Sequence, residues 1–191
     1  MLIRFLKTLP ALLLLGLTAH AEEGRFANVR VHPVNAILGE YAFDAAIAIA
    51  PILSIGPMVT ITDMDIADST AKGTGFGAQA TLHLAGNRIS DSWVLSAYFL
   101  HIKQLDLSRR ELFTSTDFSG SFPNVDQYGL VAGYEWVYSS GFNLSVSAGV
   151  RHMNFPENYT LTSSGGAQMT ASSGSASGFG PKMMITAGWA F

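Results

Sequence analysis

The chain has 191 residues, 48% of them hydrophobic and only 13% charged, where a soluble domain typically carries about 25% charged residues. It has no cysteine, which excludes a disulfide framework, a thiolate metal site and a lipid-modified N-terminal cysteine. Acidic residues outnumber basic ones, 14 to 11, and no clustered basic surface points to nucleic acid.

Arg4 and Lys7 precede an apolar run over residues 9–17, followed by Ala19-His20-Ala21 and then Glu22-Glu23. This is the pattern of a secretory signal peptide over residues 1–21. The run is well short of the ~20 residues that a spanning helix needs. The expected mature domain is residues 22–191, exported from the cytoplasm, with 14 acidic residues against the nine basic ones left after Arg4 and Lys7 are removed. Its longest apolar run is residues 45–53, so no transmembrane helix is expected.

After the leader, hydrophobicity alternates with period two in segments of about ten residues, the repeat of tilted membrane strands. Residues 26–37, with Val29, Val31 and Val34, are expected as the first strand, joined by a tight turn at residues 38–40 to a second at 41–49. Pro33 weakens the first, because proline cannot donate to a ladder. Further strands are expected at 53–62, 77–84, 128–136, 143–151 and 181–191. Residues 93–104 are apolar on both faces and have no assignable orientation. Short links at 50–51, 85–91 and 139–142 alternate with long polar links at 67–74, 107–124 and 156–178, the asymmetry of an outer-membrane barrel with short periplasmic turns and longer outer loops. The expected fold is all-β, an eight-stranded antiparallel up-and-down transmembrane β-barrel. A soluble lipocalin-like barrel also alternates but turns its apolar face inward.

The leader, the eight alternating segments, the loop asymmetry and the ending Gly188-Trp189-Ala190-Phe191 together resemble the small outer-membrane β-barrels of Gram-negative bacteria. That group includes outer membrane protein A-like, X-like and opacity-type barrels. Residues 31–50 resemble uncharacterised small barrels of the same group. The resemblance implies a monomer in the bacterial outer membrane, with outer-membrane lipids as its surroundings. It further implies that Trp189 and Phe191 serve as an assembly signal for the barrel assembly machinery and as part of an aromatic girdle. Other versions of that signal place glycine further upstream, where this chain has Thr186.

Alternation turns Asp44, Glu135, Arg151 and Lys182 inward, with His83, Arg30 and His32. Eight strands leave a lumen just wide enough for side chains to fill, so these charges need partners. The expectation is a lumen charge network in which Asp44 and Glu135 neutralise Arg151 and Lys182. A narrow conducting path or a small-ligand cavity is the alternative. Some barrels of this architecture modify lipid A with a His/Ser/acid arrangement. Here His152 is followed two residues on by Asn154 where that family has its serine, so no enzyme activity is expected. His32, His83 and His101 share no metal-ligand spacing, and no cofactor is expected. Gly73-Thr-Gly-Phe-Gly77 has no following helix and lacks the context of a phosphate loop, and Asn158-Tyr-Thr160 carries no weight as a glycosylation site. The expected role is structural or surface-interactive.

Overall fold

The computed structural model describes residues 25–191 apart from 38, 67–68, 86–87, 111–116, 157, 164 and 173–176; the signal peptide expected at 1–21 lies outside the described residues. Ten strands and one short helix follow in order: β1 (Ala27–Val31), α1 (Pro33–Ile37), β2 (Glu40–Ala50), β3 (Leu53–Ile66), β4 (Ser69–His83), β5 (Ser92–Arg110), β6 (Asp117–Val137), β7 (Phe142–Asn154), β8 (Asn158–Ser163), β9 (Gln168–Ser172) and β10 (Gly178–Ala190). Strands β1 to β7 and β10 pair antiparallel with their neighbours, and β1 pairs with β10 to close an eight-stranded barrel. Closure removes the open sheet edges that would otherwise expose unpaired backbone groups. Strands β8 and β9 form a hairpin attached to the far end of β6.

The expected first strand is cut in half. It ends at Val31, and residues 33–37 form α1 instead. Pro33 is the cause: without an N–H it cannot extend the ladder, yet its fixed φ suits the first position of a helix. The helix packs between β2 and β10. The chain then reverses at Gly39, where a φ of 84° and the Asp63 carbonyl oxygen, which would lie 2.5 Å from any added Cβ, both demand glycine.

Two of the expected long links are strand. Residues 69–74 belong to β4, leaving two residues between β3 and β4, while residues 107–110 and 117–124 extend β5 and β6. The third, 156–178, contains the β8–β9 hairpin. Glycine, serine, threonine and aspartate fill these stretches, so they carry no hydrophobic alternation. They pair because the neighbouring strands hold them in register: Ser69 to Thr74 face Gln104 to Arg109. The asymmetry of the barrel therefore lies in strand length as much as in loop length.

The structure also orients β5. Ser92, Val94, Ser96, Tyr98, Leu100 and Ile102 are buried inside, with Trp93, Leu95 and Phe99 exposed outside. Both faces read as apolar because the far half of the lumen is itself apolar, a cluster of Met58, Tyr98, Leu100, Phe122, Val125 and Met184 among others. A bulge at Lys103, skipped between the pairs Gly75↔Ile102 and Thr74↔Gln104, shifts the inward face from even to odd positions. Inside the lumen the Tyr98 ring lies over its ladder partner Gly129, where any Cβ would run into the ring. Gly129→Val should therefore displace Tyr98 and break its 2.8 Å bond from the Gln127 amide. We expect a loss of about 1–3 kcal/mol, read as a lower urea midpoint, whereas Gly178→Ala, with nothing within 4 Å of its Cβ direction, should change little.

Candidate functional site

The half of the lumen nearest the chain termini is polar, and its centre comes from the shortest barrel strand. Period two on β1 turns Asn28, Arg30 and His32 inward, all at 5% exposure or less. The Arg30 guanidinium donates through Nε (2.8 Å) and Nη2 (2.7 Å) to Asp44 Oδ1 and reaches Glu135 Oε1 at 3.5 Å through Nη1. Asp44 Oδ2 is bonded to His32 Nε2 at 2.8 Å, and Glu135 Oε1 accepts from the Asn28 amide at 2.9 Å. His83 Nε2 lies 3.0 Å from Ser54 Oγ, with its Nδ1 3.8 Å from Glu135 Oε2. Hydroxyl pairs Thr81–Ser96 and Ser145–Thr186 line the surrounding wall.

This arrangement joins two of the residues singled out in the sequence and separates the other two. Asp44 and Glu135 come together, but around Arg30. Lys182 lies higher in the lumen, 3.6 Å from Glu40, and Arg151, half-buried, makes no ion pair among the described residues. The expected neutralisation of Asp44 and Glu135 by Arg151 and Lys182 is corrected accordingly. Register is the reason: Arg30 stands directly opposite Asp44, whereas Arg151 stands opposite Gly129 and Gly180. The signal for Arg30 was its place in the Val29-Arg30-Val31 alternation, blurred by the nearby proline.

Ser54, His83 and Glu135 have the polarity of a nucleophile, base and acid. Each is 2% exposed or less, so no substrate carbonyl has an approach to the hydroxyl, and the three residues act as part of the buried network. His152 stacks edge-on against Phe179 on the outer wall, centroids 4.8 Å apart. His101 pairs with Asp126 at 2.7 Å on the same wall. No three metal-ligating side chains converge among the described residues.

Both ends of this polar chamber are closed. On the far side stands the apolar cluster around Met58 and Phe122. At the near mouth the link between β4 and β5 folds inward and inserts Ile89, 1% exposed, against Ala48, Ala190 and Val137. Ile89 is fixed by a backbone bridge to Arg25, whose guanidinium donates to the carbonyls of Ala190, Tyr138 and Ser139. Beyond the apolar cluster, the projecting parts of β4, β5 and β6 and the β8–β9 hairpin enclose an open cleft of 720 Å³ lined by Lys72, Asp106, Ser108, Ser121 and Thr162 among others. There the Gln104 amide, together with the Ser121 hydroxyl, holds the Asp106 carboxyl below its ordinary range.

Comparison with known protein families, with curated proteins and with solved structures finds no match to this chain.

Removing the shared cation tests that geometry. Arg30→Met should leave two buried carboxylates uncompensated and cost about 3–5 kcal/mol, while Arg151→Met, unpaired and half-buried, should cost far less. Urea midpoints in detergent micelles will separate the two; equal losses would mean that the network is not centred on Arg30.

Proposed function

We propose that the chain is a monomeric bacterial outer-membrane β-barrel with a structural or surface-interaction role, its lumen filled by its own side chains. The observation that carries this reading is a belt of exposed apolar side chains to which all eight barrel strands contribute: Val29 and Val31, Phe43 and Ile47, Ile55 and Val59, Phe76 and Leu82, Leu95 and Phe99, Leu130, Val146 and Val150, and Met183. Soluble monomers rarely expose contiguous apolar patches beyond a few hundred Å², and a soluble barrel buries its apolar face. Here the Arg30–Asp44 and Lys182–Glu40 ion pairs are inside.

Aromatic rings border the belt on both sides. Trp93, Trp136, Tyr138, Phe142 and Trp189 lie toward the terminal end, and Tyr41, Phe43, Phe76, Phe99 and Tyr128 toward the other. From Tyr128 to Tyr138 the chain advances ten residues at about 3.3 Å each, which at a tilt of about 40° gives a rise of about 25 Å. That equals the apolar height of an outer-membrane barrel. Past the upper ring the strands turn polar, with Asp63 and Lys72 paired at 3.2 Å in the open. On this reading the projecting sheet and its cleft face the exterior and form the interacting surface. Outer-membrane lipids cover the belt, and Trp189 and Phe191 on the closing strand present the signal to the barrel assembly machinery.

The apolar cluster across the lumen and the Ile89 plug favour a closed barrel over a conducting one. In planar bilayers the protein should give no discrete unitary conductance; reproducible steps would support the narrow-channel reading instead. In cells it should fractionate with the outer membrane and shift in gel mobility on boiling, and recovery as a soluble periplasmic protein would overturn the assignment. Leu130→Arg should destabilise by about 2–4 kcal/mol, with Ser147→Thr on the inner face nearly neutral. Replacing both Trp189 and Phe191 with serine should deplete heat-modifiable protein from the outer membrane, and normal levels would remove the assembly-signal role.

A further inference from the structure

The inner network holds more negative charge than positive. Within it, β1 supplies Arg30, the residue just after β1 is His32, and β2 supplies Asp44, β4 His83 and β6 Glu135. The inward residues of the other strands at this level, Ser54, Ser92, Ser96, Asn143, Ser145 and Thr186, carry no charge. With both imidazoles neutral, one guanidinium therefore faces two carboxylates. Of the further cations, Arg25 at the near mouth is engaged by the carbonyls of Ala190, Tyr138 and Ser139, and those higher in the barrel are remote. Ser145 stands opposite both Glu135 and Thr186, so Lys182 is four residues up β10 and Arg151 six residues up β7, or about 13 and 20 Å at about 3.3 Å per residue. Lys182 is in any case engaged by Glu40. Tyr98, also higher, is bonded to Gln127.

Within this cluster four buried atoms lack partners, His32 Nδ1, Ser92 Oγ, Glu135 Oε2 and His83 Nδ1, and the last two face one another. Glu135 Oε2 and His83 Nδ1 are both buried and unbonded, 3.8 Å apart. Buried polar atoms almost always have a partner. A neutral His83 carrying its hydrogen on Nδ1 would address the gap but leave the cluster one negative charge in excess, and an uncompensated buried charge is costly. An added proton supplies both the bond and the charge. His32 is a poor home for it: its Nε2 already serves Asp44, and its buried Nδ1 has no acceptor.

We propose that the gap between Glu135 Oε2 and His83 Nδ1 is a proton-binding site, and that the inner charge network of the folded barrel is complete only with that proton in place. The consequence is a definite direction of pH dependence. Free glutamate and histidine titrate near 4.3 and 6.5, so above about pH 6.5 the unfolded chain has released both protons while the folded cluster keeps one. From these groups stability is then greatest near that pH and falls as pH rises above it, by up to about tenfold in the folding constant per pH unit for one proton.

Urea unfolding in detergent micelles between pH 6.5 and 9 tests this. Wild type should lose stability steadily across the range, whereas E135Q, which removes the excess charge and keeps an oxygen for Asn28 and Arg30, should be flat and at pH 9 at least as stable as wild type. H101Q, which alters the half-exposed pair on the outer wall, should retain the wild-type slope. A flat wild type, or an equal slope in E135Q, would overturn the proposal. Exchanging sodium for tetramethylammonium at pH 9 should leave the wild-type midpoint unchanged; a midpoint that follows sodium would place an alkali cation in the gap and overturn it too. Should E135Q not refold, proton release on unfolding wild type in weak buffer at pH 8 decides, with about one proton expected and none sufficient to reject the site.

Discussion

The barrel depends on the seam where β1 meets β10. Without it there is an open sheet with two unpaired edges, a form that cannot be held in an apolar medium where each unpaired backbone group costs several kcal/mol. Yet this is the shortest pairing in the wall, four residues from Asn28 to Val31 against Ala187 to Ala190. Backbone bonds at the mouth lengthen it slightly, Phe26 and Ala27 donating to the Phe191 carbonyl and Phe191 donating back to Ala27. The rest of its support is side-chain chemistry. Arg30 and His32 bond Asp44 on the neighbouring β2, while Arg30 and Asn28 reach across to Glu135 on β6 and Asn28 pairs with Asn143 on β7. The buried polar network sits where the ladder is thinnest, and it rivets β1 to β2, β6 and β7.

From that seam the rest of the architecture follows in layers. The polar network needs a dry surround, which the apolar cluster above and Ile89 below provide. Filling the lumen in this way leaves the outer wall to carry the apolar residues, the reverse of a soluble barrel. The projecting parts of β4, β5 and β6, furnished with hydroxyls and charges, are on the proposed reading the region available for recognition. Structure and proposed role meet at that division: a sealed, riveted wall below, and a polar sheet with an open cleft above.

Much of this was legible in the sequence, and the failures share a physical origin. Where one face is apolar and exposed and the other lines a polar lumen, as along Tyr41 to Ile49 or Asn143 to Val150, the alternation gave both strand and orientation correctly. It gave no orientation for β5, because Leu100 and Ile102 face an apolar lumen while Phe99 faces outward. It missed the projecting strand of residues 69–74 and 117–124, where small and polar residues interrupt the alternation and pairing follows from neighbours rather than composition. Pro33 marks a weak point in the first strand, but its conversion of half a strand into α1 depends on the room between β2 and β10. For the site, Asp44 and Glu135 were found from their inward parity. Arg30 as their shared cation was not, since its contact with Glu135 spans 105 residues and follows from closure of the barrel, which fixes registers that local pattern cannot.

The central claim, an apolar medium outside and a sealed polar interior, can be read directly because the chain has no native cysteine. Single cysteines placed in turn at positions 128–137 of β6 and spin-labelled in lipid vesicles would report each side chain's surroundings. Collision with lipid-soluble oxygen should peak at 128, 130, 132, 134 and 136 and fall at the residues between, with a water-soluble paramagnetic reagent giving low values at 130, 132 and 134. High exposure of those three positions to the water-soluble reagent, or loss of the period of two, is incompatible with a lipid-covered wall.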